Sequence, residues 1–376
     1  MNLEVLEFIR SHSEDWRELL AQKPYCVTVK DSGNYTMLSY SHIDSDFNYQ
    51  ITRECRGLII RKQNNDYCPV CVGFMKFGNL GESYCPDIDW SSAQVQEKID
   101  GSLIRLWYDD GKWRVSTSGM ICAEDAAVGD AEDGRGNVLT FGSLFMHALR
   151  NTSPSVLMDF FYWLDKNCTY MFEVVSPASK VIVPYSETKL FHIGTRNNET
   201  LEEFETDICI PKPRLYPLRC IEECKEFAAA LQIDANGGEG FVVVDKFYNR
   251  IKIKNPKYVR FHAMLNNNVI TYARIIDMFR HGDVDEFLIY FPKYKERFEA
   301  VGTALEEIEA ELIARKGVLD RQHFESQKEF AAAIYYDDFK SYFFEWRKTG
   351  ISPKEWLWRM PSSRLAEYVE EWISND

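Results

Sequence analysis

Residues 103–116 constrain the fold most. Leu103-Ile104-Arg105-Leu106-Trp107-Tyr108 is an apolar and aromatic run, Asp109-Asp110-Gly111-Lys112 a turn, and Trp113-Arg114-Val115-Ser116 a second run. Two such runs about an Asp-Gly turn make an antiparallel hairpin, because Asp-Gly accepts the positive φ that a tight link between right-twisted strands demands. A lone hairpin is marginal in water, so more strands must join it. Candidates are Leu58 to Ile60, Tyr170 to Val175, Lys189 to Ile193, Phe241 to Val244 and Arg250 to Lys254. Helical spacing occupies Leu144 to Leu149 and Cys220 to Leu231, and apolar residues from Leu3 to Leu20 predict an opening helix reaching about Gln22. This interleaving predicts an α+β domain of antiparallel sheets flanked by helices.

Beyond Tyr258 the pattern turns helical, most plainly from Leu305 to Leu312 and from Phe324 to Phe344. Ser352-Pro353-Lys354-Glu355 reads as an N-cap, a proline at the first helical position and an acidic first turn. The expected division is therefore 1–258 and an all-helical 259–376, with no internal repeat. A chain of 376 residues, 45% hydrophobic and 27% charged, is long enough for two such domains.

No run of about 18 apolar residues occurs, and Glu4 and Glu7 stand where a secretory signal would be basic and then apolar. A cytoplasmic chain without membrane contact is expected. The 10 cysteines all precede Lys225 at irregular spacings, which fits reduced thiols. Cys68-Pro69-Val70-Cys71, with Cys55 and Cys85 nearby, admits a zinc site, although a single CxxC fits packing better. A formal charge of −14 excludes a protein that coats nucleic acid through bulk attraction. Any phosphate site must be local, and Lys246, Arg250, Lys252, Lys254, Lys257 and Arg260 supply a local basic segment.

Lys98-Ile99-Asp100-Gly101 stands immediately before the hairpin. The four-residue pattern alone is weak. It gains weight from four other pieces in order, each at a strand: Arg56-Gly57-Leu58, Phe172-Glu173-Val174, Glu239-Gly240-Phe241-Val242 and Lys252-Ile253-Lys254. The set resembles the covalent nucleotidyltransferases, the superfamily of ATP-dependent ligases and capping enzymes. Within it the chain looks most similar to the bacteriophage T4 RNA ligase 1 family. Gly101-Ser102-Leu103 follows the lysine, Lys76-Phe77-Gly78-Asn79 lies upstream, and Tyr258 follows the paired lysines. The likeness covers roughly residues 50–260.

That resemblance implies a nucleotidyltransferase fold and an ATP-dependent RNA ligase acting through a lysyl-AMP on Lys98. Lys252 and Lys254 would share in catalysis. Arg56, Lys76, Gly101, Glu173, Glu239 and the two lysines would bind nucleotide. Glu173 and Glu239 would hold Mg²⁺ or Mn²⁺, while Arg56, Lys76, Phe77 and Tyr258 would meet RNA or its phosphates. The expected partners are RNA ends with a 5′-phosphate and a 3′-hydroxyl, as in a broken transfer RNA, together with an end-healing kinase or phosphatase; a monomer is expected. Ser118 departs from the family, where a basic residue can precede the glycine matching Gly119. An acidic turn at Asp283 and Asp285 could reach metal, although a helix cap fits better.

The chemistry is coherent. An amine attacks phosphorus only when neutral, and a free lysine is protonated at pH 7. Lys252 and Lys254 alternate with Ile251 and Ile253, so both ammonium groups share one face, where they are expected to disfavour charge on Lys98 and to neutralise phosphate. Gly101 and Gly240 permit close backbone approach. The rival readings are a DNA ligase or capping enzyme, which normally appends an OB-type barrel rather than helices, and an inactive nucleotide- or RNA-binding module, which would have no need of the attacking lysine.

Overall fold

Alternation along the strands decides which side of each sheet is covered and which is left open. The computed structural model describes residues 3–64, 66–132, 138–154, 159–265, 270–282 and 284–375. The chain divides into two compact units, Met1–Val259 and Arg260–Asp376.

The described strands all belong to the first unit. In chain order they are β1 (Val27–Ser32), β2 (Tyr35–Tyr40), β3 (Arg56–Gln63), β4 (Asp66–Cys71), β5 (Gln94–Glu97), β6 (Ser102–Asp109), β7 (Lys112–Ser116) and β8 (Ala127–Glu132). There follow β9 (Val138–Thr140), β10 (Cys168–Val175), β11 (Lys189–Asn197), β12 (Glu203–Phe204), β13 (Leu215–Tyr216), β14 (Gly240–Val244) and β15 (Arg250–Lys254). They form a four-stranded sheet β1-β2-β3-β4, a five-stranded sheet β12-β11-β10-β6-β7, a four-stranded sheet β13-β5-β14-β15 and the pair β8-β9. The pairings within these sheets are antiparallel.

Successive side chains point to opposite faces of a strand. On β10, Phe172 and Val174 enter a core with Leu144, Phe145, Ala148 and Leu149 of the helix Phe141–Thr152. On β14 and β15, Phe241, Val243, Ile251 and Ile253 pack with Cys224 and Ala228 of the helix Ile221–Ala230. The intervening residues, Glu173, Val242, Lys252 and Lys254, line one cleft. Thus each of the two sheets is sealed on one face by a helix and contributes its other face to the site.

Several local expectations are revised. The opening helix is two pieces, Glu4–Ser11 and Trp16–Ala21, because Ser11 Oγ and the His12 amide both donate to the Phe8 carbonyl, at 2.9 and 3.0 Å, and close the first. Phe324 to Phe344 is not continuous: Ser326 caps Gln327–Ala333, and Asp337, bonded to the Phe339 amide at 2.8 Å, precedes a second helix, Lys340–Thr349. Leu305 to Leu312 lies inside Lys295–Asp320, and Ser352 caps Pro353–Arg359. Asp283 lies outside the described residues, and Asp285 is exposed on the helix Val284–Tyr290. Cys68 and Cys71 pack beside Met37 and Trp107, and no cluster of three or more metal-ligating side chains occurs among the described residues.

Gly240 joins the motif turn to β14 with φ +131°, and a Cβ there would lie 2.2 Å from the Ile253 carbonyl oxygen. Gly240→Ala should therefore cost roughly 2–4 kcal/mol, combining forbidden backbone with overpacking. Gly111, at φ +78° with open space around it, is the control, and its alanine variant should lose only about 1 kcal/mol. Urea midpoints measure both, and equal losses would mean that the close approach at Gly240 is not binding.

Candidate active site

A four-residue link, Lys98-Ile99-Asp100-Gly101, carries the chain from β5 in one sheet to β6 in the other. Lys98 opens it. Its amide donates to the Gly240 carbonyl at 2.9 Å, and Gly101 lies so close to β10 that a Cβ would sit 2.4 Å from the Val174 carbonyl oxygen. Asp100, 5% exposed, fastens the middle of the link. Its carboxylate accepts from the Ile182 and Val183 amides at 2.9 and 2.8 Å and from the Tyr258 hydroxyl at 2.7 Å. The lysine backbone is thus fixed from both sheets before its side chain makes any contact.

The Lys98 amine meets Glu239, its Nζ donating to Oε2 at 2.8 Å, while Lys254 Nζ lies 3.1 Å from Oε1 of the same carboxylate. Glu239 is almost wholly buried. Asn255, fully buried, holds this corner: its amide donates to the Glu239 carbonyl at 2.9 Å, and its side-chain nitrogen donates to the Gly238 and Leu231 carbonyls, both at 3.0 Å.

The proton affinity of Lys98 runs opposite to expectation. Burial disfavours its charge, but Glu239, Glu173 and Asp100 outweigh burial and raise its pKa above the usual lysine value. The depressed lysine is Lys252, brought down to about 7 by burial and then by Arg56, Lys76, Lys98 and Lys254. Positive neighbours therefore act on Lys252, because Lys98 has a carboxylate in direct contact. Glu173 faces the same cleft and is pushed up to about 7, chiefly by burial and despite the pull of Lys98.

Arg56, Phe77, Lys98, Glu173, Lys252 and Lys254 all line the cleft. Phe77 is half-buried between two cations, with the Arg56 guanidinium carbon 5.2 Å and Lys252 Nζ 4.7 Å from its ring centre. Lys76 sits over Phe47 at 4.8 Å, its pKa lowered by burial and by Arg56. Arg56 Nη1 is buried with no hydrogen-bond partner, and neither Lys76 nor Lys252 makes an ion pair among the described residues. Of the basic segment, Arg250 pairs with Glu203 and Lys246 with Asp89. Tyr258 departs from its expected contact with substrate: it is buried, and its hydroxyl supports Asp100 from within the protein. The Ser118 carbonyl accepts from Ser39 Oγ at 3.2 Å. Asp100 and Asn255 were not among the residues expected to serve the site; the first was visible as part of Lys-x-Asp-Gly, and nothing in the local sequence marks the second.

The model of the RNA ligase family matches residues 54–258, more than half of the chain, a span that takes in Arg56, Lys76, Lys98, Glu173, Glu239, Lys252, Lys254 and Tyr258. The chain belongs to the RNA ligase family. Among curated relatives of this family member, an Autographa californica nuclear polyhedrosis virus protein named as a bifunctional polynucleotide kinase/RNA ligase is 31% identical over 287 residues. That match takes in 70% of this chain but only 39% of the viral protein. An RNA ligase of Rhodothermus phage RM378 is 26% identical over 319 residues, covering 70% of this chain and 71% of the phage protein. Among solved structures, an archaeal ATP-dependent RNA ligase aligns with TM-score 0.42 and 13% identity over 76% of this chain and 78% of that one.

The donor set of this ligase-family cleft suits a small divalent cation. Glu173 and Glu239 offer hard carboxylate oxygens, and Glu173 receives no hydrogen bond among the described residues, so an ion that retains most of its waters fits there. The raised pKa of Glu173 has a measurable consequence. Between its usual 4.5 and about 7 the unfolded chain releases this proton while the folded chain keeps it, so folding stability falls as pH rises through that window. Glu173→Gln removes the loss. In metal-free buffer its stability relative to wild type should increase from pH 4 to pH 8, as read by urea unfolding; a difference independent of pH would contradict this account of the carboxylate.

Proposed function

We propose that this chain is an ATP-dependent RNA ligase working through Lys98. The observation that carries the reading is the juxtaposition of one lysine amine with Arg56 and Lys252, two cations that make no ion pair among the described residues, in a single cleft. An anion of high charge is what such cations lack. Lys98 attacks the α-phosphorus of ATP, the N–P bond forms, and pyrophosphate leaves. The ammonium sheds two protons in this step: one passes to Glu239 Oε2, 2.8 Å away, before the neutral amine attacks, and the second goes to solvent as the phosphoramidate forms. Lys252, with Arg56 and Lys254, neutralises phosphate oxygens as charge builds in transfer, and Lys76 takes the phosphate of the RNA end. A 5′-phosphate oxygen of RNA then displaces Lys98 from AMP. Finally a 3′-hydroxyl attacks the activated end, forming the phosphodiester and releasing AMP and a proton.

Glu173, together with Glu239, would hold the divalent cation, Mg²⁺ or Mn²⁺. When bound, that cation supplies the counter-charge for both carboxylates and so weakens their hold on the Lys98 proton. The bifunctional name of the viral relative supports a requirement for ends already prepared by a polynucleotide kinase. A reducing, cytoplasmic setting agrees with ten unpaired cysteines. A DNA ligase or capping enzyme is less favoured, since the described residues of Arg260–Asp376 form helices where those enzymes carry an OB-type barrel.

ATP labelled at the α-phosphate should mark the wild-type chain and leave Lys98→Ala unmarked. The labelled protein should then join a 5′-phosphorylated single-stranded RNA in preference to sealing nicked DNA. Equal labelling of both chains would remove the lysine from the mechanism, and preferential sealing of DNA would reverse the substrate assignment.

A further inference from the structure

The turn between β14 and β15 holds an aromatic side chain out in solvent on a rigid support. Phe247 is 66% exposed, whereas Asp245 beneath it is only 3% exposed. Asp245 Oδ1 accepts from the Phe247 and Asn249 amides at 2.9 and 3.0 Å, and Oδ2 accepts from Asn249 Nδ2 at 3.0 Å and the Asp89 amide at 3.2 Å. Tyr248 follows in the left-handed region, φ +62°. Four hydrogen bonds to one buried carboxylate leave this turn little freedom, yet they expose the most apolar residue in it.

Phe247 and Tyr248 stand in a trough beside Arg53, Lys76 and Arg250, and the trough meets the Lys98 cleft at Phe74, Phe77 and Arg250, which line both. Lys246 Nζ lies 4.9 Å from the Phe247 ring centre, and its side chain is more than half exposed although it reaches Asp89. Two acids also line the trough, Glu202 and Glu203, and the second is neutralised by Arg250. The walls therefore carry a cationic excess in a protein whose formal charge is −14. From Lys254 to Arg250 the strand runs about 13 Å, so the trough leads away from the reacting centre along β15.

We propose that this trough is the track for single-stranded RNA leaving the reacting end, and that Phe247 is the platform on which one of its bases stacks. The proposal rests on the RNA-ligase reading above. A flat aromatic face accepts any base, and flanking cations follow the backbone, the combination that recognises single strands without regard to sequence. Tyr248, with Arg250 beside it at 5.5 Å, closes the inner wall.

The test uses the full chain and a fluorescein-labelled, 5′-phosphorylated single-stranded RNA. Self-adenylylation with ATP is measured first, and should be equal in wild type, Phe247→Ala, Phe247→Leu and Phe247→Trp. RNA affinity and the KM for joining should then weaken about tenfold in the alanine and leucine variants and recover in tryptophan, because a stacked base is lost and restored. A series of oligonucleotides with one abasic position each should show a comparable loss at a single position in wild type and none in Phe247→Ala. If leucine binds RNA as well as wild type, or if no abasic position matters, the platform is disproved while the lysine chemistry stands. If wild type takes no label from ATP, the ligase reading itself has failed.

Discussion

One carboxylate organises the centre. Glu239 receives Lys98 on one oxygen and Lys254 on the other, inside a protein corner held by Asn255. A buried charge with its partners removed costs roughly 3–5 kcal/mol, so each of the three groups demands the other two. The consequence is a lysine stored in its charged form rather than a free amine waiting in a basic patch. Arg56 and Lys252 flank Phe77 and make no ion pair among the described residues. The cleft thus gives its nucleophile a carboxylate in direct contact, which Lys254 shares, while Lys252 on the same surfaces is held down by its positive neighbours.

That arrangement follows in part from strand periodicity. Because side chains alternate, the residues that β10 and β15 bury under helices leave Glu173, Lys252 and Lys254 on the other face without any loop to arrange them. Loops supply the rest: Lys98 on the link from β5 to β6, Glu239 just before β14, and Lys76 and Phe77 between β4 and β5. Rigid strands hold the charges at fixed separations, which suits a reaction whose barrier is lowered mainly by positioned charge.

Much of this was readable from residue order. The hairpin after Gly101, the alternation of Lys252 and Lys254 with isoleucines, and the placing of Glu173 and Glu239 on or beside strands depend on local pattern, and the structure brings these residues together. What was not readable depends on partners distant in the chain. The direction of the Lys98 shift is set by carboxylates at positions 173 and 239, whereas the neighbours that sequence brought to mind were cations. Tyr258 looked like a substrate contact, but its place behind Asp100 becomes visible only when residues 158 positions apart meet. Asn255 carries no signature at all. The two helix breaks, after Ser11 and near Asp337, come from polar side chains and the backbone trading hydrogen bonds locally, which hydrophobic spacing does not register.

The short link between β5 and β6 has a mechanical meaning as well. With one end tied to the Gly240 carbonyl and the other pressed on Val174, it contains no slack that could absorb a change in the angle between the two sheets. A shear of one sheet against the other would be delivered undiminished to the lysine side chain. The reach of the amine is in this sense a gauge of how the sheets are mated, and insertions tolerated in the outer hairpins would be ruinous between residues 98 and 102.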